Sequence, residues 1–132
     1  MKKVIYIIFF ILIPFYCYSY SGGSGTEEDP WQISDATDLQ ELIDSPDDWD
    51  DNFVQTADID FSGISNASPI GNSTTSFTGS YNGNKYSISN LILEFEYDNI
   101  GLFGVTDQAV LSYVNLNNVE IEGVSYVGSL IG

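Results

Sequence analysis

The strongest constraint on this chain is that it resembles itself. Asn90-Leu91-Ile92-Leu93 is echoed by Asn115-Leu116-Asn117-Asn118, 25 residues on. Ile100-Gly101-Leu102-Phe103-Gly104 is echoed by Val127-Gly128-Ser129-Leu130-Ile131-Gly132, with Gly101 and Gly128 27 residues apart. A period in the twenties points to a solenoid, in which each repeat buries its apolar face only against its neighbours. Local patterning agrees with strands. In Phe53-Val54-Gln55-Thr56-Ala57-Asp58-Ile59-Asp60-Phe61 the odd positions are mostly apolar, and both aspartates fall at even ones. Leu91 to Asp98 alternates Leu, Leu, Phe and Tyr with Ile92 and the acids Glu94, Glu96 and Asp98, and Val119-Glu120-Ile121-Glu122 repeats the theme. Alternation of period two puts one set of side chains in a core and the other in water. Ser62-Gly63, Asn82-Gly83 and Asp98-Asn99 supply turn chemistry between strands. Asn82-Gly83 also suits a two-residue hairpin. An antiparallel β-sandwich with coincidental self-similarity is therefore the alternative to the solenoid.

Only one stretch reads as helix. Leu39, Leu42 and Ile43 fall at i, i+3 and i+4, and Ser45-Pro46 ends the run. Ser34, Asp35 or Thr37 can cap its start, and Thr37 with Gln40 matches a capping box, which places a short amphipathic helix at about residues 35–44. Before it, residues 20–25 form a Gly/Ser spacer that composition alone makes flexible.

The first segment reads as an address. Met1-Lys2-Lys3 is a positive n-region, Val4 to Ile13 an unbroken apolar run, and Pro14 a helix breaker. Ser19, with Cys17 three positions before the cut, or Ser21, with Ser19, supplies the small residues of a cleavage site, so residues 1–19 are expected to be a signal peptide. A membrane anchor needs about 20 apolar residues, more than this run provides. Lipidation at Cys17 fits poorly, because Pro14, Phe15 and Tyr16 stand where small residues are required. The expected location is secreted or cell-surface, with membrane contact only through this segment. Cys17 is the chain's single cysteine, so the exported part would hold together without disulfides.

Composition then removes most functions. The chain has 19 Asp or Glu, three Lys or Arg and no His. All three basic residues are lysines, two of them Lys2 and Lys3. Nucleic acid is excluded as a partner, because phosphate binding needs clustered Lys and Arg. Without His or Arg there is no His-dependent triad, no Cys–His dyad and no His metal site. No catalytic, cofactor-binding or metal residue is assigned.

Several candidate sites have simpler roles. Asp58-Ile59-Asp60-Phe61-Ser62-Gly63 opens like a calcium loop, but Pro69 occupies the twelfth position, where Glu is needed. Asp48-Trp49-Asp50-Asp51-Asn52 fails at Phe53, where Gly is needed. A looser calcium site between Asp58/Asp60, Glu94/Glu96/Asp98 and Glu120/Glu122 requires these acids to stack on neighbouring repeats, where a divalent cation would relieve their repulsion; a solvated acidic face explains the same pattern and is preferred. Carboxylate pairs at glycosidase spacing are uninformative among so many acids. Lys85, in an Asn-Gly-Asn-Lys turn, reads as a solvated lysine rather than a lyase base. Trp31 is expected to pack under the N-terminal cap. Trp49, in an acidic loop, is the candidate exposed platform for sugar stacking. Asn66-Ala67-Ser68 and Asn72-Ser73-Thr74 match the glycosylation pattern but read as ordinary loop residues.

Gly101-Leu102-Phe103-Gly104 resembles the Gly-Leu-hydrophobic-Gly element of GLUG-motif repeats, found in secreted bacterial surface proteins, adhesin-like chains and some IgA-cleaving metallopeptidases. The order of the surrounding segments is similar too: Gly25-Thr26-Glu27-Glu28-Asp29-Pro30-Trp31-Gln32-Ile33 before the helix, Thr56 to Gly63 as a first marked strand, Pro69-Ile70-Gly71, then Phe77 to Leu91. Ser129 stands where the second repeat would carry Gly. The resemblance implies an all-β fold, a right-handed parallel β-helix with a helical N-terminal cap over residues 26–132, its repeats ending near Gly104 and Gly132. The family stacks many repeats, and this sequence stops on a repeat's closing glycine, as a truncated stack or a minimal one with an open C-terminal end would. The expected function is a non-catalytic, secreted or cell-surface structural or adhesive repeat protein, with a host or matrix glycan or protein as partner and self-association through the open end. The alternatives are the N-terminal part of a longer secreted carbohydrate-active enzyme or peptidase, or a sugar-binding module.

Overall fold

The computed structural model describes residues 20–132; the expected signal segment, residues 1–19, lies outside them. The chain is mostly strand, with one short α-helix. Strand β1 (Trp31–Ile33) leads into α1 (Ala36–Asp44), a 3-10 turn (Pro46–Asp48) and β2 (Asn52–Gln55). Seven further strands follow: β3 (Ile59–Asp60), β4 (Ser80–Asn82), β5 (Ser87–Ser89), β6 (Ile92–Glu94), β7 (Val110–Ser112), β8 (Asn115–Asn117) and β9 (Glu120–Glu122). They form sheets of four, three and two strands, ordered β1-β2-β4-β7, β3-β5-β8 and β6-β9. Each ladder among the described residues is parallel. The chain visits the sheets in the same order on successive passes.

This rules out the antiparallel sandwich. Asn82-Gly83 is a corner, not a hairpin: Asn82 Oδ1 accepts from the Asn84 N–H at 2.9 Å, and the chain leaves β4 for a different sheet. The register also corrects the repeat. Asn90 stacks on Asn118, 28 positions on, not on Asn115, which pairs with Ser87. The second echo holds, with Ile100 bridged to Val127 and Phe103 to Ile131.

Register places like on like inside. Trp31, Phe53, Tyr81 and Leu111 align across the largest sheet, Ile59, Ile88 and Leu116 across the second, and Leu93 and Ile121 across the third. Phe77 and Phe103 fill the space between, with ring centres 5.0 Å apart, and Tyr81 meets Phe103 edge-on at 5.7 Å. Each aromatic or aliphatic side chain fully buried in this way contributes about 1.5–3 kcal/mol. Two polar side chains are buried, Asp38 and Gln55, and both are satisfied: Asp38 Oδ2 accepts from the Ser21 hydroxyl and the Ser34 N–H, while Gln55 Nε2 donates to the Ala57 and Ser87 carbonyls and its Oε1 accepts from the Tyr81 hydroxyl. Burial pushes the Tyr81 phenol pKa up.

The N-terminal end is closed. Helix α1 buries Leu39, Leu42 and Ile43, as their spacing requires, and Asp35 is the residue that caps it, accepting from the Thr37 and Asp38 N–H groups. Thr37 lies inside the helix, so the capping box with Gln40 does not form. Residues 20–25 are not a free spacer. Tyr20 is buried and packs on Trp31 and Phe53, and the Ser21 and Gln32 N–H groups exchange bonds with the Gln32 and Gly22 carbonyls. Composition misled here because this short segment satisfies the outer edge of β1, which would otherwise be bare. At the other end, Leu111, Leu116 and Ile121 are only half-buried and Ile131 is 47% exposed, whereas Tyr81, Ile88, Leu93 and Phe103, one pass earlier, are at most 1% exposed.

Candidate functional site

The acids proposed to stack do so at one place. Glu94 pairs directly with Glu122 across β6 and β9, while Ile92 faces Glu120. Asp58 and Asp60 instead meet polar neutral groups. Asp58 Oδ1 accepts from the Ser87 N–H and hydroxyl, and Asp60 Oδ1 accepts from the Ser62 N–H and Asn90 Nδ2. The Asn90 bond, then those from Ser62, hold the Asp60 carboxyl below its ordinary pKa. Oxygens already committed to protein donors are poorly placed to form a calcium shell. Among the described residues no cluster of three or more metal-ligating side chains forms.

Trp49 is not an exposed platform. It is buried, and its indole N–H donates to the Leu42 carbonyl at 2.7 Å, satisfying one of the acceptors that the last turn of α1 leaves open. An acidic flank suggested exposure; the helix end supplied the partner. Trp31 lies under the N-terminal cap as expected, with its indole N–H on Asp51 Oδ2 at 2.8 Å. Lys85 sits in the turn after β4 with φ of 70° and is exposed.

The exposed aromatic beside a recess is Tyr97, which alternation had placed inward. It is 50% exposed, because β6 ends at Glu94 and the chain turns outward before Asn99, whose φ is 62°. Its ring lies 4.8 Å from that of Phe95, and partial burial raises its phenol pKa. Tyr97 borders a cleft of about 690 Å³ between this corner, the end of the helical cap and the loop before β4. Ile43, Pro46, Pro69 and Val105 give it apolar walls, and Asn72, Asp98 and Asn99 contribute polar groups. Asn72 Oδ1 is occupied by the Thr74 and Thr75 N–H groups, which fixes that side chain at the rim. The sequence signal for this site was weak: a Tyr-Asp-Asn corner and an Asn-Ser-Thr turn, 25 residues apart, with nothing local to join them.

The chain is 37% identical over 123 aligned residues to halomucin of Haloquadratum walsbyi (strain DSM 16790 / HBSQ001), an alignment that covers 83% of this chain and 1% of that protein. The chain thus spans a very small part of the curated relative it matches. No family model matches the sequence, and no solved structure matches it.

Proposed function

We propose that this chain is a non-catalytic structural or adhesive module of a secreted or cell-surface protein, built as a right-handed parallel β-helix of the GLUG-repeat kind. The observation that carries this reading is the repeated visit to three parallel sheets in one order, with like residues stacked inside. Such a unit gains stability by adding passes and presents long, regular outer faces, which suits a scaffold. The likeness to halomucin supports a place at the surface, as its name is that of a mucin. The absence of His and Arg from the sequence supports a role without chemistry of its own. Its partners are extracellular proteins or glycans, and the strong negative charge turns nucleic acid away.

A second reading, the N-terminal β-helix portion of a longer secreted carbohydrate-active enzyme or peptidase, is compatible with a match that spans 1% of the relative. The sequence that adjoins this one in its gene separates the two, since further repeats support the scaffold and a catalytic domain supports the enzyme.

The location is tested by expressing the full chain in its own host with a C-terminal epitope. Detection in the medium or on unpermeabilised cells, with an N-terminus at Tyr20, supports it. Tyr20 is the expected first residue because its buried ring and its hydroxyl, which donates to Asp48 Oδ2 at 3.0 Å, belong to the folded cap. Retention of uncut protein in the cytosol would overturn the reading.

A further inference from the structure

Three features stand outside the scaffold role: the half-buried side chains of the last described pass, the stacked Glu94–Glu122 pair, and the cleft beside Tyr97. The partly exposed apolar residues of the last described pass, Ile131 among them, have no chemistry that selects an occupant. The glutamate pair has no third ligand among the described residues. The cleft has a defined size, composition and charge, and these together narrow what it can hold.

We propose that the cleft between the helical cap and the Tyr97 corner binds a short neutral oligosaccharide, with Tyr97 as the stacking platform. Its volume of about 690 Å³ lies within the range of roughly 300–1,000 Å³ typical of small-ligand sites. An aromatic ring that is half exposed and backed by a second ring is held in place at little entropic cost, and its face attracts the electropositive C–H edges of a sugar. Tyr97, backed by Phe95, meets that description. The polar side chains around it are those of Ser68, Asn72, Ser73, Asp98 and Asn99, whose hydroxyl, amide and carboxylate groups can donate to and accept from sugar hydroxyls. Asn72, with its oxygen engaged by two N–H groups, presents its amide nitrogen as a donor.

Charge then disfavours anionic ligands. Among the described residues no lysine lines the cleft, Asp98 stands at its edge, and the whole chain is at −16. Uronic acids, sulfated sugars and phosphates would be repelled both locally and by the overall field. With anionic sugars disfavoured, the aromatic ring and the amide-bearing rim suit an uncharged, polyhydroxylated ligand. This site is additional to the scaffold role and does not depend on it.

The test is a titration of 15N-labelled protein, followed amide by amide, with four probes: cellotetraose, mannotetraose, N-acetylchitotetraose and, as the charged control, tetragalacturonate. The expected result is shifts centred on Asn72, Tyr97 and Asn99 with at least one neutral probe and none with tetragalacturonate. Tyr97→Ala should weaken that binding by about tenfold or more at an unchanged thermal midpoint, while Tyr97→Phe retains most of it. No shift with any neutral probe at about 10 mM, a level that detects even millimolar affinity, would overturn the proposal. So would shifts that survive Tyr97→Ala, or equal binding of tetragalacturonate. None of these outcomes touches the scaffold reading, which stands or falls on location and on the parallel ladders.

Discussion

Asn118 donates from Nδ2 to Asn90 Oδ1 at 2.6 Å, one pass after Asn90 itself donates to Asp60 Oδ1 at 2.8 Å. Both asparagines hold left-handed backbone, with φ of 59° at Asn90 and 50° at Asn118. Asparagine tolerates that conformation better than other residues with a side chain, and its amide both donates and accepts. The same residue type therefore turns the corner and ties each pass to the next.

Removing the middle member should be costly for two separable reasons. Asn90→Ala loses both side-chain bonds and places a Cβ-bearing residue without compensation in left-handed backbone, a combined loss of about 1–3 kcal/mol. Asn90→Gly loses the bonds but relieves the backbone, so it should cost about 1 kcal/mol less. Urea unfolding of the two variants and the wild type measures both. Equal stabilities for the two variants would show that the conformation at this corner carries no penalty.

Stability should pass through a maximum on acidification. Asp48 is raised by burial first and then by the charges of Asp51, Glu41 and Asp47, so its ionised form costs stability at neutral pH. That cost is relieved as pH falls through its raised value, above the ordinary 3.8. Asp60 works the other way. Its carboxyl is held below 3.8, so its contribution is fully present above that value and is lost as pH falls through the depressed one. A melting series from neutral pH into the acid range should rise and then fall. Asp48→Asn should flatten the rise and Asp60→Asn the fall; an Asp60→Asn protein with an unaltered acid limb would contradict the assignment.

Glu94 and Glu122 face each other directly across a parallel ladder, and like charges so placed oppose pairing. Glu122→Gln should raise stability by about 0.2–1 kcal/mol in low salt, with the gain shrinking as sodium chloride screens the pair. The calcium question is decided in the same experiment. Calcium chloride at millimolar concentration should do no more for the thermal midpoint than sodium chloride of equal ionic strength. A larger, saturable rise abolished by Glu122→Gln would mean that the pair binds calcium.

Much of this arrangement was legible in the residues, and the limits have physical causes. Alternation read correctly from Leu91 to Glu94, where a ladder holds each residue to one face, and failed at Tyr97, where the ladder has stopped. Leu39, Leu42 and Ile43 marked the helix because a helix face is set by local spacing. The Trp49 partner was invisible for the opposite reason: the Leu42 carbonyl carries no side-chain signature. The repeat was found, but with one of its two echoes three positions out, since Asn115, Asn117 and Asn118 all follow within four residues. Only the pairing of Ser87 with Asn115 and of Ser89 with Asn117 identifies Asn118 as the corner residue that matches Asn90.

The glycines of the repeat mark close contact rather than unusual backbone. Neither Gly101 nor Gly104 has positive φ, a role taken at nearby corners by Asn90, Asn99, Asn118 and Tyr126. A Cβ on Gly101 would instead stand 2.6 Å from the Gly128 carbonyl oxygen and 2.8 Å from the Gly132 nitrogen, and one on Gly104 would stand 2.6 Å from the Gly71 oxygen. These are backbone atoms of neighbouring passes and cannot swing aside. Gly101→Val should therefore push the last pass away, at a cost of about 1–3 kcal/mol for the forced shift. The damage should be local first. The Gly128 N–H donates to the Ile100 carbonyl and the Gly132 N–H to the Phe103 carbonyl, both at 3.0 Å, and these amides should lose protection from exchange. Trp31 and Trp49, buried at the capped end, should keep their native fluorescence until global unfolding. Amide exchange on Gly101→Val, read beside tryptophan emission, checks both halves: full protection at Gly128 would show that the passes do not touch at this glycine.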